Sequence, residues 1–282
     1  MNSIPVDQLH NKTSAGLQIK SFRQDDQHEE IPQLAHRDDH YIFFLLKSGS
    51  GALKVDSQEV VVTSNQLYYI LPSQVHYRIK TDHAEGWFLA VDTSLIPLNL
   101  RDAFESGPGL QVPCTLTNYE LRQYSTLLNL LHKEYSDRKD DKYYLAIIHG
   151  LVQSFLAMAA SSYNAVEASA PTPTRSAELA RQFKDLLTAH SHTIRSPSAY
   201  ASKLHVSLGH LNEAVKKTTG SPVSFWIGQE IWSEAKRLLN YTDADVKQIA
   251  QELGYADYAY FSRSFHKQSG LSPIAFRKLS RK

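Results

Sequence analysis

The stretch YADYAYFSRSFHKQSG, Tyr255 to Gly270, sets five aromatic rings and one arginine within sixteen residues. An arginine guanidinium is a rigid fork of donors that matches guanine O6 and N7, and tyrosines bond phosphates or pack on thymine methyl groups. Arg263, with Tyr258, Ala259, Tyr260 and Ser262 around it and Lys267 one turn further on, carries the groups of a base-reading surface. Phe261 and Phe265, four residues apart, fit a helix core instead, with Tyr255 joining them. A second such set lies fifty residues earlier in SLGHLNEAVKKTTG, Ser207 to Gly220. There Asn212 can bond adenine N6 and N7, and Glu213 can accept from cytosine N4. Lys216 and Lys217 can make salt-sensitive phosphate contacts, with Ser207, Gly209 and His210 at the start of the same helix. No Gly-rich phosphate loop and no nucleophile–base set occurs, so nothing points to an enzyme or to a cofactor.

The elements that position these residues repeat. Ala201 and Leu204 match Ala250 and Leu253. Leu211, Val215 and Gly220 match Phe261, Phe265 and Gly270, and Pro222 and Phe225 match Pro273 and Phe276. Each copy is a short helix, a tight turn, a second helix ended by Gly, and a Ser-Pro restart, which is how a helix-turn-helix unit reads in sequence. The recognition helices are expected at Ser207–Gly220 and at about Asp257–Gln268. The segment PVSFWIGQEIWSEAKRLL carries an apolar stripe and is expected to join the copies. Ser196, Ser221 and Ser272, each before a Pro, read as N-caps, and Asp245 with Gln248 reads as a capping box.

Charge agrees with this division. Residues 175–282 hold 16 Lys/Arg against 9 Asp/Glu, a net of +7, whereas residues 1–174 are at −6. A basic C-terminal third suits a polyanionic partner.

The text EAKRLLNYTDADVKQIAQELGYADYAYFSRSFHKQSGLSPIAFRK resembles the second unit of the DNA-binding domain of the arabinose-regulator (AraC/XylS-type) transcription factors. Matching positions include Ala235, Leu238, Ile249, Gly254, Phe261, Gly270, Pro273 and Arg277. The resemblance spans about Ser176 to Lys282. It implies double-stranded DNA as partner, with two recognition helices in successive major grooves of a promoter site, and RNA polymerase as a further partner. Gly209, Asn212 and Glu213 stand where many relatives carry a large side chain, a polar reader and an arginine, so the first unit is expected to read other bases or mainly to position the domain.

Before the linker expected at residues 161–176, two regions differ in pattern. From about His40 to Asp92 the chain alternates short apolar runs with turn signals, as in a barrel or sandwich. YIFFLLKSGSGALKVD reads as a strand, a Gly-Ser-Gly turn and a second strand. From Tyr119, two apolar stripes at helical spacing, Leu121–Leu131 and Tyr144–Phe155, predict an antiparallel helix pair over 119–160. The text AHRDDHYIFFLLKSGSGALKV with LYYILPSQVHYRI resembles, more loosely, the cupin-like sensing barrel found ahead of this DNA-binding domain, over about residues 30–100.

That resemblance implies a small-molecule effector, a homodimer formed through the helix pair, and a pocket lined by His36, Tyr41, Phe43, Tyr68, Ile70, His76 and Trp87. Strand parity is open by one residue, and a slip turns the strand candidates outward. In metal-binding cupins a His-x-His pair, a carboxylate and a later His hold the ion. His36 and His76 match two of those positions, but the second His is Asp38, and the carboxylate falls on Ile42 or Phe43. Two His and one Asp can form a facial triad, but the reading taken is an organic ligand and no metal.

The expected fold is therefore multidomain: an N-terminal cupin-like β-barrel over 1–118, the helix pair, and a C-terminal all-α double helix-turn-helix domain over 177–282. A chain of 282 residues, with one cysteine, no signal pattern and no apolar run of 18 residues, fits a cytoplasmic regulator without membrane contact. Two other readings stay open: a metal-dependent cupin enzyme with a basic helical appendage, and a DNA-binding regulator that senses no ligand.

Overall fold

The computed structural model describes residues 5–23, 34–56, 58–105, 111–137, 139–168, 174–190 and 193–280. The chain divides into two compact units, one of residues 1–104 and 109–170, the other of residues 105–108 and 171–282.

The first unit is built on β1 (Val6–Asp7), β2 (Leu17–Phe22), β3 (Arg37–Asp38), β4 (Tyr41–Val55), β5 (Gln58–Thr63), β6 (Gln66–Ile70), β7 (His76–Val91) and β8 (Cys114–Thr115). Six strands form one antiparallel sheet in the order β2-β7-β4-β6-β8, with β5 also on β4, while β1 and β3 pair in parallel beside it. The Gly-Ser-Gly signal is not a turn. β4 runs unbroken through it, and the ladder to β7 instead shifts register between Leu46 and Ser48, Ser48 and Ser50, and Ala52 and Leu53. Gly49 sits in the bulge at φ +75°, where a Cβ would lie 2.2 Å from the His83 carbonyl oxygen. Such bulges bend and twist a strand, and they let two long strands carry the sheet around an interior. The Ser64-Asn65 and Pro72-Ser73 signals do separate strands, with Asn65 and Ser73 at positive φ.

Three helices cover the outer face of the sheet: α1 (Leu98–Glu105), α2 (Asn118–Asp137) and α3 (Tyr144–Ala168). The expected stripes are largely inward, with Tyr124, Leu128, Leu131, Ile148, Val152 and Phe155 buried. α3 continues eight residues into the stretch expected as linker, because Tyr163 buries its ring against Tyr69 at 4.8 Å and donates its hydroxyl to the Leu67 carbonyl at 2.8 Å. Residues 169–173 of that stretch lie outside the described residues. By length and composition Tyr144–Ala165 could cross a bilayer, and a third of that window is buried where its stripe packs on α2 and the sheet.

The second unit is α-helical: α4 (Arg175–His190), α5 (Pro197–Lys203), α6 (Leu208–Thr219), α7 (Val223–Tyr241), α8 (Val246–Glu252), α9 (Tyr258–Ser269) and α10 (Pro273–Ser280). α7 spans the two copies as expected. Its C-terminal half joins the second copy's core, where Ala235, Leu238 and Leu239 pack with Ile249, Ala250, Leu253, Phe261, Phe265 and Phe276.

Candidate nucleic-acid interface and sensing cavity

The repeat extends to the capping chemistry. α6 is capped by Ser207, whose side chain accepts from the His210 amide, and α9 by Asp257, which accepts from Ala259. Both helices end on a left-handed glycine, Gly220 at φ 77° and Gly270 at φ 75°, a conformation that costs glycine no Cβ clash. One residue before each, a hydroxyl ties the helix end to the next segment. Thr219 Oγ1 donates to Val215 O at 2.8 Å and receives the Ser221 amide, while Ser269 Oγ donates to Phe265 O at 2.8 Å and receives the Leu271 amide. The capping box at α8 forms in full, Asp245 accepting from Gln248 N and Gln248 Oε1 accepting from Asp245 N. Of the expected Ser caps, Ser196 is the N-cap of α5 with Pro197 following it, though its side chain bonds no amide there, whereas α7 is capped at Pro222 rather than Ser221.

With Phe261 and Phe265 buried and Tyr255 half-buried against them, α9 turns its other face outward. Tyr258 and Tyr260 are 56% and 57% exposed, and Ala259 and Ser262 are half-buried beside them. Arg263 and Lys267 are exposed. The Arg263 guanidinium lies 3.9 Å from Asp257 Oδ2, with both side chains mostly in solvent, a pairing weak enough to exchange for a phosphate or a base. On α6, Ser207, Gly209, His210, Glu213, Lys216 and Lys217 are exposed in corresponding positions. Asn212 is the exception. It is half-buried, and its Oδ1 accepts the Val223 amide at 3.1 Å, satisfying an orphan donor in the first turn of α7 rather than facing out. Leu208, 44% exposed at the position of Tyr258, belongs to this face and was not among the expected residues. The fifty-residue offset alone would have found it.

A helix-turn-helix domain family matches residues 200–279. The transcriptional activator Btr of Bacillus subtilis is 26% identical over 253 residues, covering 86% of this chain and 45% of that protein. The activator RhaR of Pectobacterium carotovorum is 32% identical over 102 residues, covering 35% of this chain and 36% of that protein. Over its C-terminal residues the chain is similar to AraC/XylS-type transcription factors. The chain spans less than half the length of these two curated relatives. Among solved structures, ToxT of Vibrio cholerae covers 94% of this chain and 98% of its own at 13% identity, with a TM-score of 0.43.

Ahead of the AraC-type domain, the sheet curves around a partly open cavity of about 280 Å³. Phe22, Ile42, Phe44, Leu46, Leu53, Val62 and Phe88 line it with apolar surface, while His36, Asp38, His40, His76 and Arg78 supply polar groups. Of the expected lining, His36 and His76 face the cavity. Tyr68 and Ile70 lie on the inner side but pack into the apolar cluster with Ile42 and Leu46, where burial pushes the Tyr68 hydroxyl pKa well up.

Tyr41, Phe43 and Trp87 are on the opposite face, a correction by one residue of parity. Phe43 packs edge-on against Phe104 of α1 and Phe155 of α3, each at 5.3 Å, and Trp87 lies 5.4 Å from the His132 ring of α2. The cavity is lined instead by Ile42, Phe44 and Leu46, the alternate residues of the same strand.

His36, Asp38 and His76 come together although 40 residues separate the outer two. An isolated bridge holds the histidines, His36 N donating to His76 O and His76 N to His36 O. His76 Nε2 lies 3.1 Å and His36 Nε2 3.9 Å from Asp38 Oδ2, and His40 Nε2 lies 3.8 Å from Asp38 Oδ1.

Proposed function

We propose that the chain is a sequence-specific DNA-binding transcriptional regulator whose two helix-turn-helix units read adjacent major grooves. The observation that carries the reading is the repeated unit itself: two helices with matching caps, each turning a polar or basic face outward while its apolar face closes the core. A buried helical bundle of other purpose has no need to leave Tyr258, Tyr260 and Arg263 in solvent at the start of a helix, where recognition helices meet base edges. Selection of binding sites from genomic fragments tests it. Enrichment of a bipartite motif with centres about 10 base pairs apart is expected, and recovery of no motif at physiological salt sinks the reading.

The cavity supports a small organic effector in the N-terminal unit, since a largely apolar chamber with a few convergent polar groups is how ligand sites are built. The effector would act by binding one DNA-competent arrangement better than the others. Dimerisation through α2 and α3 completes the reading, supported by the exposed Tyr119 and Leu130 beside the buried stripe of α2. Melting of the N-terminal unit across a metabolite panel, repeated on Phe44→Trp to fill the chamber, tests the effector. A stabilising compound whose effect the variant abolishes is expected, and no response to any compound favours a ligand-independent regulator.

A further inference from the structure

We propose that His36, Asp38 and His76 hold a divalent first-row transition-metal ion inside the barrel. The three donors are buried, at 8%, 2% and 5% exposure, and one ligand atom from each lies within 4.8 Å of the others. Donors bound to one ion at about 2.1 Å stand roughly 3–3.5 Å apart. The 3.1 Å between His76 Nε2 and Asp38 Oδ2 already fits, and the His36 arm at 3.9 Å needs a side-chain shift of under about 1 Å.

Tautomers carry the argument further. His36 Nδ1 lies 3.0 Å from the Leu34 carbonyl and His76 Nδ1 lies 3.1 Å from the Gln74 carbonyl. Carbonyl oxygens only accept, so both Nδ1 atoms carry protons, and in neutral imidazole the lone pair is then on Nε2. This is the outer-shell bond that orients metal-bound histidines. His40 repeats it, with Nδ1 3.0 Å from Asp39 Oδ1 and Nε2 toward Asp38. Three imidazole Nε2 atoms therefore converge on one buried carboxylate, whose Oδ2 has no hydrogen-bond partner among the described residues. Lone pairs facing a buried anion repel it, and leaving such a group unsatisfied is costly.

Two things relieve that arrangement: a proton on an imidazole or a cation among the donors. A donor set of two imidazoles and a carboxylate suits zinc, iron(II), cobalt or nickel rather than calcium or magnesium. Because all three residues line the cavity, the ion's remaining positions open onto the apolar chamber, where an oxygen donor on a small molecule can complete them.

The test uses the full chain, stripped with chelator and titrated with Co²⁺ or Zn²⁺ alone. The expected result is one ion per chain, visible d–d absorption for Co²⁺ with imidazole ligation in X-ray absorption, and a rise in melting temperature. That rise is roughly 5–10 °C at a hundredfold excess over Kd. The double variant His36→Gln/His76→Gln should lose the stoichiometric site while its metal-free melting point stays near the parent's. Asp38→Asn should weaken binding by more than the roughly 10–100-fold that follows loss of an outer-shell partner. If the double variant does not fold, the parent's X-ray absorption decides, and a spectrum without imidazole scattering overturns the site. No uptake by the parent, or equal uptake by the folded double variant, also overturns it and leaves an imidazolium–carboxylate cluster in its place. DNA binding by the same metal-free preparation is scored separately, so failure of the metal site and failure of the regulatory reading are told apart.

Discussion

Glu213 and Arg263 occupy the same place in two copies of one unit, and they carry opposite charge. Both are exposed, on α6 and α9. If Arg263 reads a guanine as proposed, Arg263→Ala should cost about 1–3 kcal/mol in binding to the selected site and relax the base preference there. Glu213→Ala should do the reverse for non-specific duplex, tightening it modestly, because a carboxylate near phosphates is repelled unless a cytosine amino group satisfies it. Fluorescence anisotropy with specific and scrambled duplexes reads both; an unchanged preference in the arginine variant removes α9 from the reading surface. The fifty-residue offset made this face legible in the sequence. Asn212 was not legible, because its bond is to Val223, eleven residues on, and depends on how α6 meets α7. Parity in β4 was also hidden. Tyr41, Ile42, Phe43, Leu45 and Leu46 are all buried, some inward and some under the helices, and a strand covered on both faces has no alternation to reveal its inner side.

The turns of the two helix-turn-helix elements solve one geometric problem differently. Gly254 takes the left-handed position at φ 67° in the second, and His205, its counterpart, takes it at φ 56° in the first. The second turn is also crowded. The Arg195 guanidinium from the segment before α5 lies 5.0 Å from the Tyr255 ring, and a Cβ on Gly254 would meet it at 3.1 Å. Gly254→Ala should therefore destabilise the domain by about 1–2 kcal/mol from the backbone alone, while disturbing the seam between the units. Denaturant melting of the variant checks the first effect, and a larger loss of affinity for the bipartite site than for either half, each relative to the parent, checks the second. In the other unit, α3 is pinned to β2's approach by His149, whose Nε2 lies 2.9 Å from the Ala15 carbonyl and must donate. Burial lowers this imidazole below its ordinary 6.5, so on acidification the unfolded chain takes the proton first. The stability contribution is full above pH 6.5 and declines as pH falls through 6.5 toward the lowered folded value. Protection factors of β4 amides, corrected for the intrinsic pH dependence of exchange, should fall across that window in the parent and less so in His149→Gln, whose amide can donate without titrating. Caps, the repeat and the helix stripes were legible because their signals are local. The long strand β4 was not, because Gly49 serves a bulge set by its neighbour rather than a turn.

At the scale of the whole molecule, the near-neutral total conceals a basic third on an acidic remainder, +7 against −6. Association with a polyanion is governed by the local charge, because at physiological ionic strength fields decay within about 8 Å. Lys216, Lys217 and Lys267 are exposed on the outward faces of the two candidate recognition helices. If they meet phosphates, each releases a condensed counterion on binding, and the logarithm of affinity falls with the logarithm of salt by roughly 0.9 per contact. Removing one lysine should then lower affinity for specific and scrambled duplex alike and flatten that slope by about 1, whereas Arg263→Ala should change the ratio between the two duplexes. Binding titrations of Lys217→Ala at several salt concentrations separate the two kinds of contact. A slope equal to the parent's would show that α6 does not lie against the backbone, leaving α9 to carry recognition with the first unit as its support.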